Sequence, residues 1–206
     1  MGLCKKRGEF MIRFPITVSL VGFGRVWVSA LMVAIWFAPL CAEAEEVTYT
    51  VFVTSQSQKG DFGGLAQADA ICQAEAELPS SIVPEGRYLA WLSDTETDPQ
   101  TLFTRYANPI VLPDWTWIAD NFDDLTDGSL AHAISMDPSG ATLSAQTFWS
   151  GTSADGTRSG SAGMCAEWKN TKIRGLFGNT SATDSTWSSF QVRGCHFAQR
   201  FACFQQ

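Results

Sequence analysis

Val47 to Thr54 alternates Val47, Tyr49, Val51 and Val53 with Thr48, Thr50, Phe52 and Thr54, the two-residue period of a strand. Glycines at 60, 63 and 64 end that period. Leu65, Ala68, Cys72 and Glu75 then recur at helical spacing through an Ala-rich segment that Pro79 closes, so Cys72 shares the core-facing side of a helix with Leu65 and Ala68. Tyr88 to Ser93 is apolar on both faces, as a strand covered on both sides requires. Pro99 to Arg105 predicts a short second helix with proline in its first turn.

From Ala107 to Gly140 turn formers, aromatics and acids alternate without a sustained period, and short strands and helical turns are expected inside a long loop. Phe148 and Trp149 open a further strand, Asp155-Gly156 marks a turn, and Met164 to Trp168 alternates again. Gly175 to Ser185 is rich in Gly, Asn, Ser and Thr. The chain closes on Trp187 to Gln206, read as a hairpin turning at Gly194 and carrying Cys195 and Cys203. Helices early and paired strands late give an α+β class.

Residues 1–44 have another character. Lys5, Lys6, Arg7 and Arg13 precede a 15-residue apolar run, Val26 to Leu40, and Ala42-Glu43-Ala44 has the small-x-small form of a cleavage site. The segment reads as a signal peptide, with 45–206 as one secreted or cell-envelope domain. The run is short for a membrane span, and the bulky Leu40 before Cys41 disfavours lipoprotein processing. Residues 45–206 hold 9 Lys and Arg against 19 Asp and Glu, a net charge of −10 where the whole chain has −7. So few and scattered cations exclude a nucleic-acid backbone as partner.

Four cysteines follow the leader: Cys72, Cys165, Cys195 and Cys203. An even number in an exported chain, with no CxxC pair and two histidines in all, favours disulfides over zinc. A helix-borne thiol facing the core needs a strand-borne partner, and the last strand offers Cys203 for Cys72.

Five motifs in order, Gly63-Gly64-Leu65-x-x-Ala68-Asp69-x-x-Cys72-Gln73, Tyr88-x-Ala90-Trp91-Leu92-Ser93-Asp94, Trp149-x-Gly151-Thr152-x-x-Asp155-Gly156, Cys165-x-x-Trp168 and Arg200-x-x-Cys203-Phe204, resemble a bacterial secreted domain family of uncharacterised function. That family includes leptospiral endostatin-like surface proteins. The resemblance spans about 47–206 and implies a C-type-lectin-like single domain with long loops. It implies two disulfides, one from first helix to last strand (Cys72 and Cys203) and one between later strands (Cys165 and Cys195). It also implies partners among extracellular proteins or glycans. The calcium-ligating triplets of sugar-binding members have no counterpart in Gln191-Val192-Arg193-Gly194-Cys195.

Trp115 and Trp117, beside Pro113 and Asp114, are candidates for an aromatic platform, since alternate strand residues share a face. Asp120, Asp123 and Asp124, with Asn121 and Asp127, supply oxygens of the kind calcium takes. Phe122 and Leu125 break the spacing of a calcium loop, and a solvated, helix-capping turn is the simpler reading; no cofactor is expected. Trp91, Trp149, Trp168 and Trp187 lie in strand-like runs and read as core. No G-x-S-x-G elbow occurs and His132 and His196 lack metal-pair spacing, so the expectation is a non-catalytic binding module. A glycan hydrolase using loop carboxylates and a structural envelope component are the alternatives.

Overall fold

The structure is a computed structural model that describes residues 47–160 and 163–206. The signal-peptide reading of 1–44 lies outside the described residues. The described chain is mixed α+β, mostly sheet, with two disulfides.

The strands are β1 (Tyr49–Val53), β2 (Tyr88–Ala90), β3 (Ile110–Val111), β4 (Trp117–Ala119), β5 (Thr147–Trp149), β6 (Arg174–Asn179), β7 (Gln191–Gly194) and β8 (Ala202–Gln205). They form a five-stranded sheet in the order β2-β8-β1-β3-β4 and a three-stranded sheet in the order β5-β6-β7. Among the strands of the described residues, β1 and β3 are the one pair that runs parallel.

Both faces of the larger sheet are buried, and the two-residue period sorts its side chains. Val51, Val53, Leu89, Trp91, Ala202 and Phe204 enter one apolar cluster, while Phe52, Tyr88, Ala90, Leu92, Phe201 and Cys203 enter the other. The second cluster is roofed by helix α1 (Leu65–Ala76), which buries Ala68, Cys72 and Glu75 and binds Cys72 to Cys203.

Polar side chains of α1 finish work the sheet leaves undone. Strand β2 is an edge with free N–H groups, an invitation to foreign strands. The Asp69 carboxylate accepts from Ala90 N–H at 2.9 Å and the Gln73 amide oxygen from Tyr88 N–H at 2.9 Å. Burial raises the Asp69 carboxyl above its ordinary range, opposed by the Ala90 N–H and by the nearby Arg87 charge. Two residues beyond Gln73, the buried Glu75 accepts from the N–H groups of Ser55 and Gln56, holding the chain as it leaves β1.

Short helices appear where capping chemistry allows. Helix α2 (Pro99–Leu102) starts with proline and is capped reciprocally by Asp98 and Thr101; it ends three residues before the expected Arg105. Helix α3 (Phe122–Leu125) is capped by Asn121. The segment from Ala107 holds the expected short strands and a helical turn, but it is no exposed loop. Ile110, Leu112, Ile118, Phe122, Leu125, Leu130 and Ile134 are all buried in the first cluster.

Two local expectations are corrected. The terminal hairpin does not form: β7 pairs with β6 in the small sheet, while β8 crosses to the large sheet and pairs with both β1 and β2. Strand β8 has neighbours on either side, so no edge remains for β7. Arg200 helps redirect the chain, its guanidinium donating to the carbonyls of Thr54 and Ser55 at 2.5 Å each, at the end of β1.

Met164 to Trp168 is not a strand. Cys165–Trp168 forms a helical turn in which all four residues have positive φ, between 48° and 58°. The Cys165–Cys195 disulfide and the buried Trp168 indole, donating to Ser93 O at 2.8 Å, hold it there. Gly175 to Ser185, composed like a loop, supplies most of β6, the central strand of its sheet, followed by a 3-10 turn at Ser185–Trp187.

Candidate binding surface

The six tryptophans of the described chain fall into two groups. Trp91, Trp149, Trp168 and Trp187 are fully buried. The first three have indole N–H partners, Ser188 Oγ, Gln58 O and Ser93 O. Trp115 is 69% exposed and Trp117 37%. Exposing two of the largest apolar side chains, while four others are entirely covered, sets the β3–β4 corner apart from the rest of the surface.

Local chemistry builds this corner. Between β3 and β4 the chain reverses through Pro113, Asp114 and Trp115, with Trp115 N–H donating to Leu112 O at 2.9 Å and Leu112 N–H to Thr116 O at 2.9 Å. Asp114 accepts from Thr116 N–H at 3.0 Å, and that bond holds its carboxyl below the ordinary range. Trp115 has φ of 70°, the left-handed region that residues with a Cβ rarely adopt. It sits in the turn rather than on the strand, so the argument from alternate strand residues does not apply to it; the ring projects from the corner itself.

Trp117 begins β4. Its indole N–H donates to Asp120 Oδ1 at 2.8 Å, and its carbonyl lies 2.8 Å from His132 Nδ1. The ring is therefore held from both ends of its residue. Asp124 accepts from Asp120 N–H at 2.8 Å, while its own N–H donates to Asn121 at 3.0 Å. Asp127 accepts from the N–H and hydroxyl of Ser129. Asn121 caps the helical turn and the acids around it close the adjoining turns, as a solvated, helix-capping turn does.

Asp123 is different: its side chain is 86% exposed and it lies 3.7 Å from Arg105. The Arg105 guanidinium also stands over the Phe122 ring at 5.7 Å. Arg105, Tyr106, Ala107, Asn121 and Asp123 line a shallow cleft of about 220 Å³. Trp117, Asp120 and Asp124 are thus joined by hydrogen bonds, while Trp115 lies in the turn at the closed end of the β3–β4 hairpin and Asp123 beyond its open end; the partners added are Arg105 and His132. The last two were not singled out from the sequence. Arg105 reaches Asp123 from 18 positions away, and no local pattern marks that pairing.

The exposed indole of Trp117 beside the Asp120 carboxylate offers a flat apolar face with an acceptor, a combination that takes sugar rings or peptide side chains by stacking and hydrogen bonding. Among the described residues no group of three or more His, Cys, Asp or Glu converges as a metal site. Compared with known protein families and with curated proteins, the chain matches none.

Proposed function

We propose that the protein is a non-catalytic recognition module of the cell exterior that binds an extracellular protein or glycan through the corner formed by Trp115, Trp117 and their acidic neighbours. The observation that carries the reading is the contrast between the exposed Trp115 and Trp117 and the complete burial of the other four described tryptophans. Exposed aromatic side chains beside a carboxylate are what macromolecular recognition uses. The two disulfides suit an oxidising compartment.

A C-type-lectin-like frame of the endostatin-like kind is part of the proposal. Its support is the bridge from the first helix to the last strand, with a second bridge among the later segments. Binding ranks above glycan hydrolysis because, of the carboxylates a hydrolase would use, Asp124 and Asp127 are engaged with backbone and hydroxyl donors and Asp123 faces Arg105.

The test is an array of glycans and matrix proteins probed with the parent chain and with a Trp115→Ala, Trp117→Ala variant whose thermal unfolding matches the parent. The variant is expected to lose about tenfold or more in affinity for each ligand found. A chelator is expected to leave parental binding unchanged. Equal binding by parent and variant would remove the corner from consideration.

A further inference from the structure

Four strands of the described chain end a sheet: β2 and β4 in the larger, β5 and β7 in the smaller. An outer strand turns every second backbone N–H and C=O away from its sheet, and a native chain either covers them or leaves them to a partner. Three of the four edges are engaged within the chain. Asp69 and Gln73 take the outward N–H groups of β2. Arg200 closes β5, its N–H donating to Thr147 O at 3.2 Å and its carbonyl accepting from Trp149 N–H at 3.0 Å. On β4 the Ile118 carbonyl accepts from Ala131 N–H at 2.9 Å.

Strand β7 departs from this. Leu176 O accepts from Ser150 N–H on the β5 side, so Gly175 and Phe177 face β7, where the register pairs them with Arg193 and Gln191. Cys195 N–H, bonded to Ile173 O, keeps the same phase. Val192 and Gly194 therefore turn their N–H groups outward, and neither N–H has a partner among the described residues. Their carbonyls each accept one donor, Arg174 Nη2 at 2.9 Å for Val192 and Phe197 N–H at 3.1 Å for Gly194, which leaves a lone pair on each.

Both faces of this edge carry the same pair of chemistries. Alternation puts Val192 and Arg174 on one face and Arg193 on the other. There Arg193 stands over the Phe177 and Phe197 rings at 5.1 and 4.7 Å, and Phe190 packs edge-on against Phe177. Val192, Phe190 and Phe197 are exposed. Each face thus offers a guanidinium beside an exposed apolar side chain. The charge is local: residues 168–206 hold Lys169, Lys172, Arg174, Arg193 and Arg200 against Asp184 alone, although residues 45–206 together carry −10.

We infer that the β7 edge is a strand-addition site whose occupant is an extended, acidic and apolar segment of a partner protein. The segment's backbone would pair with the outward groups of Val192 and Gly194, its acids would meet Arg174 or Arg193, and its apolar residues would cover Val192 or Phe197. Charge selects this occupant. An antiparallel pair of β7 strands from two copies would set like face beside like face and guanidinium near guanidinium, the means by which edges are kept from their own copies. An acidic strand reverses the sign. The inference is independent of the recognition role given to Trp115 and Trp117.

Titration of the purified chain with the acetylated, amidated peptide Glu-Val-Glu-Val-Glu-Val, read by amide hydrogen exchange, tests it. At saturation, exchange at Val192 and Gly194 is expected to slow about tenfold or more, while Arg193, whose N–H faces β6, changes little. Val192→Pro removes an outward donor and no charge, at an edge position that tolerates proline, and is expected to weaken the peptide about tenfold. Lys172→Gln with Arg174→Gln is expected to weaken it and to flatten its salt dependence. Each variant is first matched to the parent in thermal unfolding, and the exchange measurement on the parent needs no variant.

No binding at about 1 mM peptide, or binding that leaves exchange at Val192 and Gly194 unchanged, overturns the inference. Equal binding of Glu-Pro-Glu-Pro-Glu-Pro, which has the same charge but lacks every second N–H, marks a general anion surface and overturns it too. A parent dimer in sedimentation equilibrium that Val192→Pro dissociates names a second copy as the occupant instead. The Trp115→Ala, Trp117→Ala variant is expected to bind the peptide as the parent does; a loss there moves the peptide to that corner, overturning the β7 site and leaving the corner's recognition role standing.

Discussion

Gly178 has room for a hydrogen and nothing larger. A Cβ built there would overlap the Trp187 carbonyl oxygen and come within 2.6 Å of Phe148 Cζ. Gly175 is in the same position, with Trp149 Cζ3 at 2.8 Å from its missing Cβ, beside the Cys165 sulfur. Glycine weakens a strand on its own account, yet here it lets β6 pass between two buried tryptophans and a disulfide. Gly178→Ala is expected to cost on the order of 2–4 kcal/mol, since backbone and a buried ring would both have to give. Gly128→Ala, with nothing within 4 Å and φ of 100°, is the control for conformation alone, at about 1 kcal/mol. Urea unfolding of both variants reads the difference. The residues around Gly178 also show why composition misleads: Gly, Asn, Ser and Thr announce a loop, and only the neighbours Trp149 and Trp187 explain a strand made from them.

Among the elements, the left-handed turn at Cys165–Trp168 is the one that sequence periodicity could not supply. Met164, Ala166 and Trp168 alternate with Cys165 and Glu167 as a strand would, but φ is positive at four consecutive residues with side chains. Each such residue costs roughly 1–2 kcal/mol in isolation. Contacts distant in sequence hold the turn: the bond to Cys195 and the indole of Trp168 on Ser93 O. Ala166 is exposed, so its methyl contributes strain without packing. Ala166→Gly is expected to stabilise the chain by about 1 kcal/mol, read as a raised urea midpoint at unchanged slope. Helices α1, α2 and α3 were legible in advance because their signals are local: Ala-rich periodicity, Asp98 before Pro99, and Asn121 before the acid-rich turn.

At the scale of the whole molecule, two cross-links hold together a described chain whose first and last strands pair in one sheet. Cys72 and Cys203 are 131 positions apart, Cys165 and Cys195 are 30. Loop-closure entropy assigns roughly 5 kcal/mol to the first bridge and about 3.5 to the second. Replacing Cys72 and Cys203 together by alanine is therefore expected to lower unfolding free energy more than replacing Cys165 and Cys195. Denaturant titration of the two double variants gives the order, and equal losses would mean that the unfolded chain is not the state the bridges constrain.

The sequence by itself determined what depends on neighbours a few positions apart: β1 and β2 with both faces apolar, the three right-handed helices, four buried tryptophans, and a Cys72 that had to face the core. The order of strands belongs to tertiary structure. Phe190 with Val192 and Phe201 with Cys203 carry the same alternation, and nothing local tells a hairpin from two strands sent to different sheets. That choice was made by the two places beside β8, both filled by β1 and β2, and by Arg200 at the end of β1. The grouping of Arg105 with Asp123, and of Arg193 with Phe177, was settled in the same way, because a contact between residues far apart in sequence exists only once the chain between them has folded.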